Sequence, residues 1–231
     1  VHIILKFSTP QHSQLVFDTD GSSAAEADVF GLNGQIEHKL AFLSKHVPRE
    51  TSLVLVGHSI GCYIILDMMK RNPELKILKA IMLFPTIEHM AQTPQGKVMT
   101  PLLCHMRYVA YLPLFLLSLL PEGLKASLIK LVNSVILFLF VANAMYMGGQ
   151  EMKKVLERDN VTINKNLGKL IFYYGATDHW CPVQYYQDIR RDFPHGDVRL
   201  CENGFRHAFV LDSGRDVAKM VVEWISGDLR T

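Results

Sequence analysis

Short apolar runs and longer helical stretches alternate along this chain. The apolar runs are rich in β-branched or aromatic residues and end at turn-forming or polar residues, so they predict strands, and the run at 53–56 predicts a strand buried on both faces. The core strands predicted in this way are residues 53–56, 79–84, 170–174 and 198–201. Helices between consecutive strands are typical of a mostly parallel sheet with helices on both faces.

The helices are predicted from apolar spacing or from composition. They cover residues 29–47, 62–70, 151–159 and 183–193, and a last helix has Val217, Met220, Val221, Trp224 and Ile225 on one face. At the start of the chain, residues 1–7 and 15–17 are candidate strands, and residues 18–28 have the polar composition of a surface loop. One or two strands are therefore expected before the strand at 53–56.

Part of the region between the strands at 79–84 and 170–174, residues 101–150, is almost free of charge. Its charged residues between positions 101 and 150 are Arg107, Glu122, Lys125 and Lys130. We interpret residues 86–150 as a helical cap inserted into one domain that covers residues 1–231. The apolar faces of this cap could pack on the core or contact a membrane, and both interpretations are open.

Two uncharged runs in this region, residues 108–121 and 131–150, are poorly suited to spanning a bilayer. A transmembrane helix needs about 20 predominantly apolar residues, whereas the first run has 14 residues and contains Pro113. Lys125 and Lys130 lie between the runs, where they could reach lipid headgroups while the flanking side chains enter the acyl layer. We therefore expect a helical hairpin that contacts lipid through Leu116, Leu117, Phe138 and Phe140.

The candidate nucleophile lies in the motif G-x-S-x-G at residues 57–61, between a predicted strand and a predicted helix. A sharp strand-to-helix turn places its central residue, Ser59, in a strained backbone and exposes the hydroxyl at the carboxyl end of the sheet. Small residues on either side prevent clashes in this turn. The Ile60 N–H, at the positive end of the new helix, points toward the position of a substrate oxyanion.

A serine nucleophile requires a base and a carboxylate that orients the base. In strand-turn-helix hydrolases the chain order is serine, acid and histidine, with the partners on loops after later strands. Asp178 follows the strand at 170–174, and His207 follows the strand at 198–201. The competing bases are His58, His179 and His195, but His58 is beside the nucleophile and His195 precedes the last strand.

Composition excludes several other classes of protein. The formal charge is only +2, 20% of the residues are charged, and no basic stripe is visible, which argues against nucleic-acid binding. The four cysteines have no C-x-x-C spacing, so neither a disulfide framework nor a zinc site is expected. We expect no metal and no organic cofactor.

Several stretches of the chain closely resemble the lipid droplet-associated hydrolase family of animals. They are FGLNGQIEHKLAFL at 30–43, LVLVGHSIGCY at 53–63, LFPTIEHM at 83–90, ANAMYMGGQEM at 142–152, FYYGATDHWCP at 172–182 and DVRLCENGFRHAF at 197–209. The resemblance implies an α/β-hydrolase fold with Ser59, Asp178 and His207 as a catalytic triad. These are the three residues that the motif and the chain order select.

The same resemblance implies a serine hydrolase that acts on lipid esters, such as sterol esters or acylglycerols. It also implies localisation to the lipid droplet monolayer and to the cytosolic face of the endoplasmic reticulum. The alternative is a lipid-droplet protein that binds or recruits partners and retains a triad that turns over poorly. Labelling of Ser59 by a fluorophosphonate probe would distinguish the two.

The N-terminal part departs from the family. The family has an apolar strand and a Pro-Gly-Asn-Pro-Gly loop well upstream of the serine, and neither is found in this sequence. We therefore expect an incomplete set of N-terminal strands and no counterpart for residues 1–27. The second oxyanion donor is expected to be missing, which predicts slower turnover than in a version with that loop, since one donor typically contributes about 100- to 1000-fold.

Overall fold

The computed structural model describes residues 4–7, 31–106 and 144–228. Five strands of these residues form one sheet, in which the spatial order follows the chain order. The strands are β1 Ile4–Phe7, β2 Leu53–His58, β3 Ile77–Leu83, β4 Leu170–Gly175 and β5 Asp197–Cys201. β1 pairs with β2 in antiparallel orientation, and the other three pairs are parallel. The predicted parallel sheet is confirmed, and its strand boundaries differ from the predicted ones by no more than two residues.

Helices follow the parallel strands of this sheet and cover it. The helices are α1 Leu32–His46, α2 Ile60–Arg71, α3 Pro94–Pro101, α4 at residues 144–154, α5 Asn160–Lys165, α6 Val183–Asp192 and α7 Gly214–Ile225. Most residues of α2 are buried, and α7 buries Val217, Val221 and Ile225, as its apolar spacing predicted. The candidate strand at 15–17 and the predicted start of α1 at Val29 lie outside the described residues.

One predicted helix has different boundaries. The helix expected at 151–159 instead ends at residue 154, and α5 begins at Asn160. The Asp159 carboxylate accepts a hydrogen bond from the Thr162 backbone N–H at 3.0 Å, so it caps a new helix rather than ending the old one. Arg158 leaves the helical path and binds the Glu88 carboxylate at 3.2 Å. Capping and a buried ion pair therefore overrode the local helix propensity.

The central strands form the apolar core. All six residues of β4 are buried, and β2 and β3 are largely buried. Strands buried on both faces need helices on both sides, which the order of elements supplies. Because β2 to β5 run parallel, their carboxyl ends meet at one edge of the sheet. The loops that follow these ends carry Ser59, Asp178 and His207.

A long excursion separates β3 from β4. Its described parts include a 3₁₀ turn Met90–Gln92, α3, a π-helical turn Leu102–Met106, and α4. The two ends of the excursion are joined, since the His89 N–H donates to the Leu156 carbonyl at 2.7 Å and the Met90 N–H donates to the Val155 carbonyl at 3.1 Å. We call this joined region, residues 88–90 and 155–158, the neck of the insertion.

The segment that was predicted to contact lipid lies mostly outside the described residues. Leu116, Leu117, Phe138 and Phe140 all belong to residues 107–143, whose structure is not described. No helix within residues 31–106 or 144–228 is long and apolar enough to cross a bilayer. The interpretation of 86–150 as a cap therefore stays a prediction.

Candidate active site

Ser59 sits in a sharp turn between β2 and α2. Its backbone has φ 56° and ψ −124°, a region that residues with a side chain rarely occupy. A Cβ atom on Gly57 would lie 2.9 Å from the Cys62 nitrogen and 2.9 Å from the Gly61 carbonyl carbon, so the turn requires glycine at 57. The Ser59 N–H donates to the Leu83 carbonyl at 3.0 Å, which ties the turn to the end of β3.

The three side chains selected from the sequence form one hydrogen-bonded chain. His207 Nε2 lies 2.9 Å from Ser59 Oγ, and His207 Nδ1 lies 2.7 Å from Asp178 Oδ2. The Asp178 side chain is 1% exposed and that of His207 is 17% exposed, so the imidazole links a half-buried hydroxyl to a buried carboxylate. This arrangement can remove a proton from Ser59 and stabilise the resulting imidazolium.

Asp178 is held by donors from its own loop. Its Oδ1 accepts hydrogen bonds from the backbone N–H groups of Trp180 at 2.7 Å and Cys181 at 3.3 Å. The Cys181 thiol, which is fully buried, donates to Oδ2 at 2.9 Å. Burial alone would raise the pKa of Asp178, but the hydrogen bonds from His207, Cys181 and Trp180 outweigh it and hold the pKa below its usual value. The carboxylate therefore stays ionised at neutral pH.

Cys181 was not selected from the sequence. The spacing of the cysteines predicts neither disulfides nor a metal site, and it gives no sign of a thiol that donates to a carboxylate. The sequence signal for this contact is the position of Cys181 three residues after Asp178. At this spacing an Asp side chain can accept hydrogen bonds from the loop that follows it. Ligand atoms of Asp178, Cys181 and His207 lie within 4.8 Å of one another. All three atoms already take part in the hydrogen bonds of the triad, so we assign them to that network, and the expectation of no metal stays a prediction.

The competing histidines have different environments. His179 and His195 are exposed. His58 is half-buried, and its Nε2 lies 2.7 Å from the backbone carbonyl oxygen of His207. Burial, with a smaller contribution from the neighbouring His207, lowers the pKa of His58 from 6.5 to about 4. His58 is therefore a neutral ring that donates to a carbonyl, and its Nε2 is not available as a base.

Aromatic rings surround the imidazole of His207. The Phe84 ring lies 6.1 Å from it in an edge-on arrangement, and the Trp180 ring lies 6.2 Å from it. Phe84 also stacks on Phe209 at 5.4 Å, and Phe209 is buried. These contacts limit rotation of the imidazole and separate part of it from water.

One oxyanion donor can be named. The Ile60 N–H is the first of α2, a position that has no partner within a helix. It lies at the positive end of the helix dipole, directly after Ser59, and its role as an oxyanion donor stays a prediction. A second donor is not identified among the residues that the structure describes. Thr86, which is buried, places its hydroxyl oxygen 3.5 Å from Ser59 Oγ and was not selected from the sequence.

A parallel sheet with a strained serine turn and a His-Asp pair on later loops defines an α/β-hydrolase. A carboxylesterase of the thaumarchaeon Nitrososphaera gargenis has a similar fold, with a TM-score of 0.54 and 12% sequence identity, covering 87% of this chain and 73% of that one. At this identity the likeness concerns the fold alone.

The family follows from the sequence comparisons. A family model described as lipid-droplet associated hydrolase matches residues 5–210. The chain is 54% identical over 235 residues to the lipid droplet-associated hydrolase of Gallus gallus and 47% identical over 234 residues to that of Homo sapiens, in each case covering 95% of this chain and 72% of the relative. The chain belongs to the lipid-droplet associated hydrolase family, and it is a hydrolase with the fold of the esterases.

The family match also corrects one expectation. No counterpart in the family was expected for residues 1–27, whereas the family model matches from residue 5.

Proposed function

We propose that this chain hydrolyses carboxylic esters of lipids by acyl transfer to Ser59. The observation that carries this proposal is the hydrogen-bonded chain from Ser59 Oγ through His207 to the buried Asp178 carboxylate, placed on a strained turn. Serine hydrolases of unrelated folds use the same constellation. The family supports the substrate class, since its members are named for lipid droplets.

The first half of the reaction forms an acyl-enzyme. Ser59 Oγ attacks the ester carbonyl carbon while His207 Nε2 accepts the hydroxyl proton. The oxyanion that forms accepts a hydrogen bond from the Ile60 N–H. When this intermediate collapses, the bond between the carbonyl carbon and the alcohol oxygen breaks, and His207 gives its proton to the leaving alkoxide. Asp178 holds the imidazole in the correct tautomer and stabilises its positive charge.

The second half returns the enzyme to its starting state. A water molecule attacks the acyl carbonyl carbon and gives a proton to His207 Nε2. The carbon–Ser59 Oγ bond then breaks, the serine oxygen takes the proton back from His207, and the fatty acid leaves. Each step needs His207 to move one proton and Asp178 to remain ionised, which agrees with the lowered pKa of that carboxyl. The scheme requires no metal or organic cofactor.

We propose sterol esters or acylglycerols as the substrates and a single domain over residues 1–231, with residues 86–150 as the cap over Ser59. The proposed places of action are the lipid droplet monolayer and the cytosolic face of the endoplasmic reticulum. Lipid contact through Leu116, Leu117, Phe138 and Phe140 would bring the mouth of the site against its substrate.

The direct test is covalent labelling by a fluorophosphonate probe, followed by a panel of ester substrates. The native chain is expected to be labelled and to hydrolyse lipid esters, and Ser59→Ala is expected to abolish both at nearly unchanged stability, since a half-exposed hydroxyl contributes little to packing. Ser44→Ala, at an exposed serine of α1, is the matched control. Absence of Ser59-dependent labelling would instead favour a binding or recruiting protein with a poorly active triad.

Lipid contact is tested separately from catalysis. Polar substitutions at Leu116, Leu117, Phe138 and Phe140 are expected to reduce droplet localisation in lipid-loaded cells and hydrolysis of emulsified lipid. A soluble short-chain ester reports whether the site itself remains intact. If localisation is unchanged and the soluble ester is cleaved as before, these residues do not form the lipid-contacting surface.

A further inference from the structure

His58 joins the two loops that must meet for catalysis. It is the last residue of β2 and directly precedes Ser59, and its Nε2 lies 2.7 Å from the carbonyl oxygen of His207, 149 positions away in the chain. Ser59 Oγ contacts the imidazole of the same residue at 2.9 Å. Two adjacent residues of the serine turn thus contact His207, one at its backbone and one at its ring.

The backbone of His207 has little regular structure to hold it. β5 ends at Cys201, and residues 202–206 form neither a helix nor a strand. A short 3₁₀ turn starts only at Phe209. The base therefore lies in a connecting segment, where small backbone shifts would change the distance between its Nε2 and the nucleophile. The hydrogen bond from His58 to the His207 carbonyl restrains this segment at the residue that carries the proposed base.

The ring of His58 is itself held in place. It packs edge-on against Phe209 at 4.8 Å and against Phe84 at 6.4 Å between ring centroids. A carbonyl oxygen can only accept a hydrogen bond, so the contact fixes the tautomer of His58 with its proton on Nε2. The ring is then a rigid, oriented donor anchored to the end of a buried strand.

We propose that His58 is a positioning residue: by donating a hydrogen bond to the backbone carbonyl of His207, it fixes the position of the loop of the catalytic base relative to Ser59. The proposal rests on the function proposed above. It gives a role to the first variable residue of the G-x-S-x-G motif, which the catalytic scheme leaves without one.

A neutral donor suits this position better than a charged one. The His207 ring becomes positively charged during each half of the reaction, and the two imidazole centroids are 5.1 Å apart. A cation at position 58 would repel that charge within a partly buried site. The lowered pKa of His58, caused first by its burial, keeps the ring neutral at neutral pH. It therefore orients the base without opposing its protonation.

Two substitutions separate the hydrogen bond from the packing. His58→Phe keeps a planar ring and removes the donor, whereas the amide of His58→Gln has an N–H that can replace Nε2–H. His38→Phe, at an exposed histidine of α1, is the matched control. The rate of Ser59 labelling and the turnover of a soluble ester are measured for each variant, together with the thermal midpoint.

His58→Phe is expected to lower the labelling rate and kcat about tenfold, the equivalent of one hydrogen bond, with KM unchanged. His58→Gln is expected to recover most of this loss, and His38→Phe to have no effect. Equal rates for His58→Phe and the native chain at equal stability would overturn the proposal. So would equal losses in His58→Phe and His58→Gln at native thermal midpoints.

A spectroscopic measurement keeps this test independent of turnover. The proton between His207 Nδ1 and Asp178 is expected to give a low-field NMR resonance, which His58→Phe should shift or broaden and His58→Gln should preserve. If the native chain neither labels nor hydrolyses esters, the proposed function fails while this resonance still tests the positioning role. An unchanged resonance in His58→Phe would show that His58 does not position His207.

Discussion

Strain in the backbone of Ser59 predicts that the nucleophile reduces the stability of its own protein. The angles φ 56° and ψ −124° are close to the mirror image of an ordinary extended conformation. Such a backbone is unfavourable for a residue with a Cβ atom and freely accessible to glycine. Ser59→Gly should release this strain, whereas Ser59→Ala removes the hydroxyl and keeps the strain.

The size of the effect is the difference between two opposing contributions. A non-glycine residue in a sparsely populated backbone region costs about 1–3 kcal/mol. Glycine loses about 0.5–1 kcal/mol more conformational freedom on folding than alanine does. Ser59→Gly is therefore expected to be more stable than Ser59→Ala by about 1 kcal/mol. For a chain of this length that difference corresponds to a thermal midpoint about 2–4 °C higher.

The assay compares four variants by thermal and chemical denaturation. Ser44 provides the control, because it is exposed in the ordinary helical backbone of α1. There, glycine should be less stable than alanine by about 1 kcal/mol. The same pair of substitutions thus has opposite signs at the two positions. If Ser59→Gly is less stable than Ser59→Ala, as at Ser44, the turn does not store strain and the argument fails.

Three further predictions concern the neck, the acid of the triad and the response to pH. Arg158→Ala should lower the free energy of unfolding by about 3 kcal/mol, because it leaves the Glu88 carboxylate buried without its partner. In denaturation experiments, the double variant that also carries Glu88→Gln should recover part of this loss. Cys181→Ala should lower the rate of fluorophosphonate labelling severalfold at similar stability, and Cys181→Ser, which keeps a donor to Asp178, should restore it. As the pH falls from 6.5 toward 4, the unfolded chain binds a proton at His58 that the folded chain does not bind. The free energy of unfolding should therefore fall by at most about 1.4 kcal/mol per pH unit, and by less where water screens the half-buried ring. His58→Gln should make the free energy of unfolding depend less on pH, and an unchanged dependence would contradict the argument.

The strands and the three candidate residues could be predicted because each leaves a local signal. β4 is a continuous apolar run, and so is β2 up to Val56, since strands buried on both faces have no polar side to interrupt them. β3 and β5 also leave a strand signal, although Lys79 interrupts the first and Arg199 the second. The serine turn has a fixed glycine spacing with a steric cause, which the close approach to Cys62 and Gly61 now explains at Gly57. The order of the two partner residues then follows from strands that end at the same edge of the sheet.

The supporting contacts could not be predicted in this way, because they depend on residues distant in sequence. The bond from His58 spans 149 positions, and that from Arg158 to Glu88 spans 70. The motif around His58 gives no indication of a contact with the His207 carbonyl, and the residues around Arg158 give no indication of a contact with Glu88. The end of α4 was missed for the same reason, since a helical composition at 151–159 gives no indication that Arg158 is drawn toward a distant carboxylate. The Cys181 contact is local but was missed because a thiol donor to a carboxylate has no motif.

The catalytic groups and the insertion are separate parts of the fold. The proposed nucleophile, base and acid come from the carboxyl ends of β2, β5 and β4, whereas the insertion leaves the sheet after β3. Its neck is closed by backbone hydrogen bonds between residues 89–90 and 155–156 and by the buried Arg158–Glu88 pair, whose arginine also binds Asp192 at the end of α6. Because these contacts close the neck, we expect substitutions between its two sides to leave the triad in place. We therefore expect reactivity toward a small fluorophosphonate to depend on the sheet and its loops, and any preference among lipid esters to depend on the insertion.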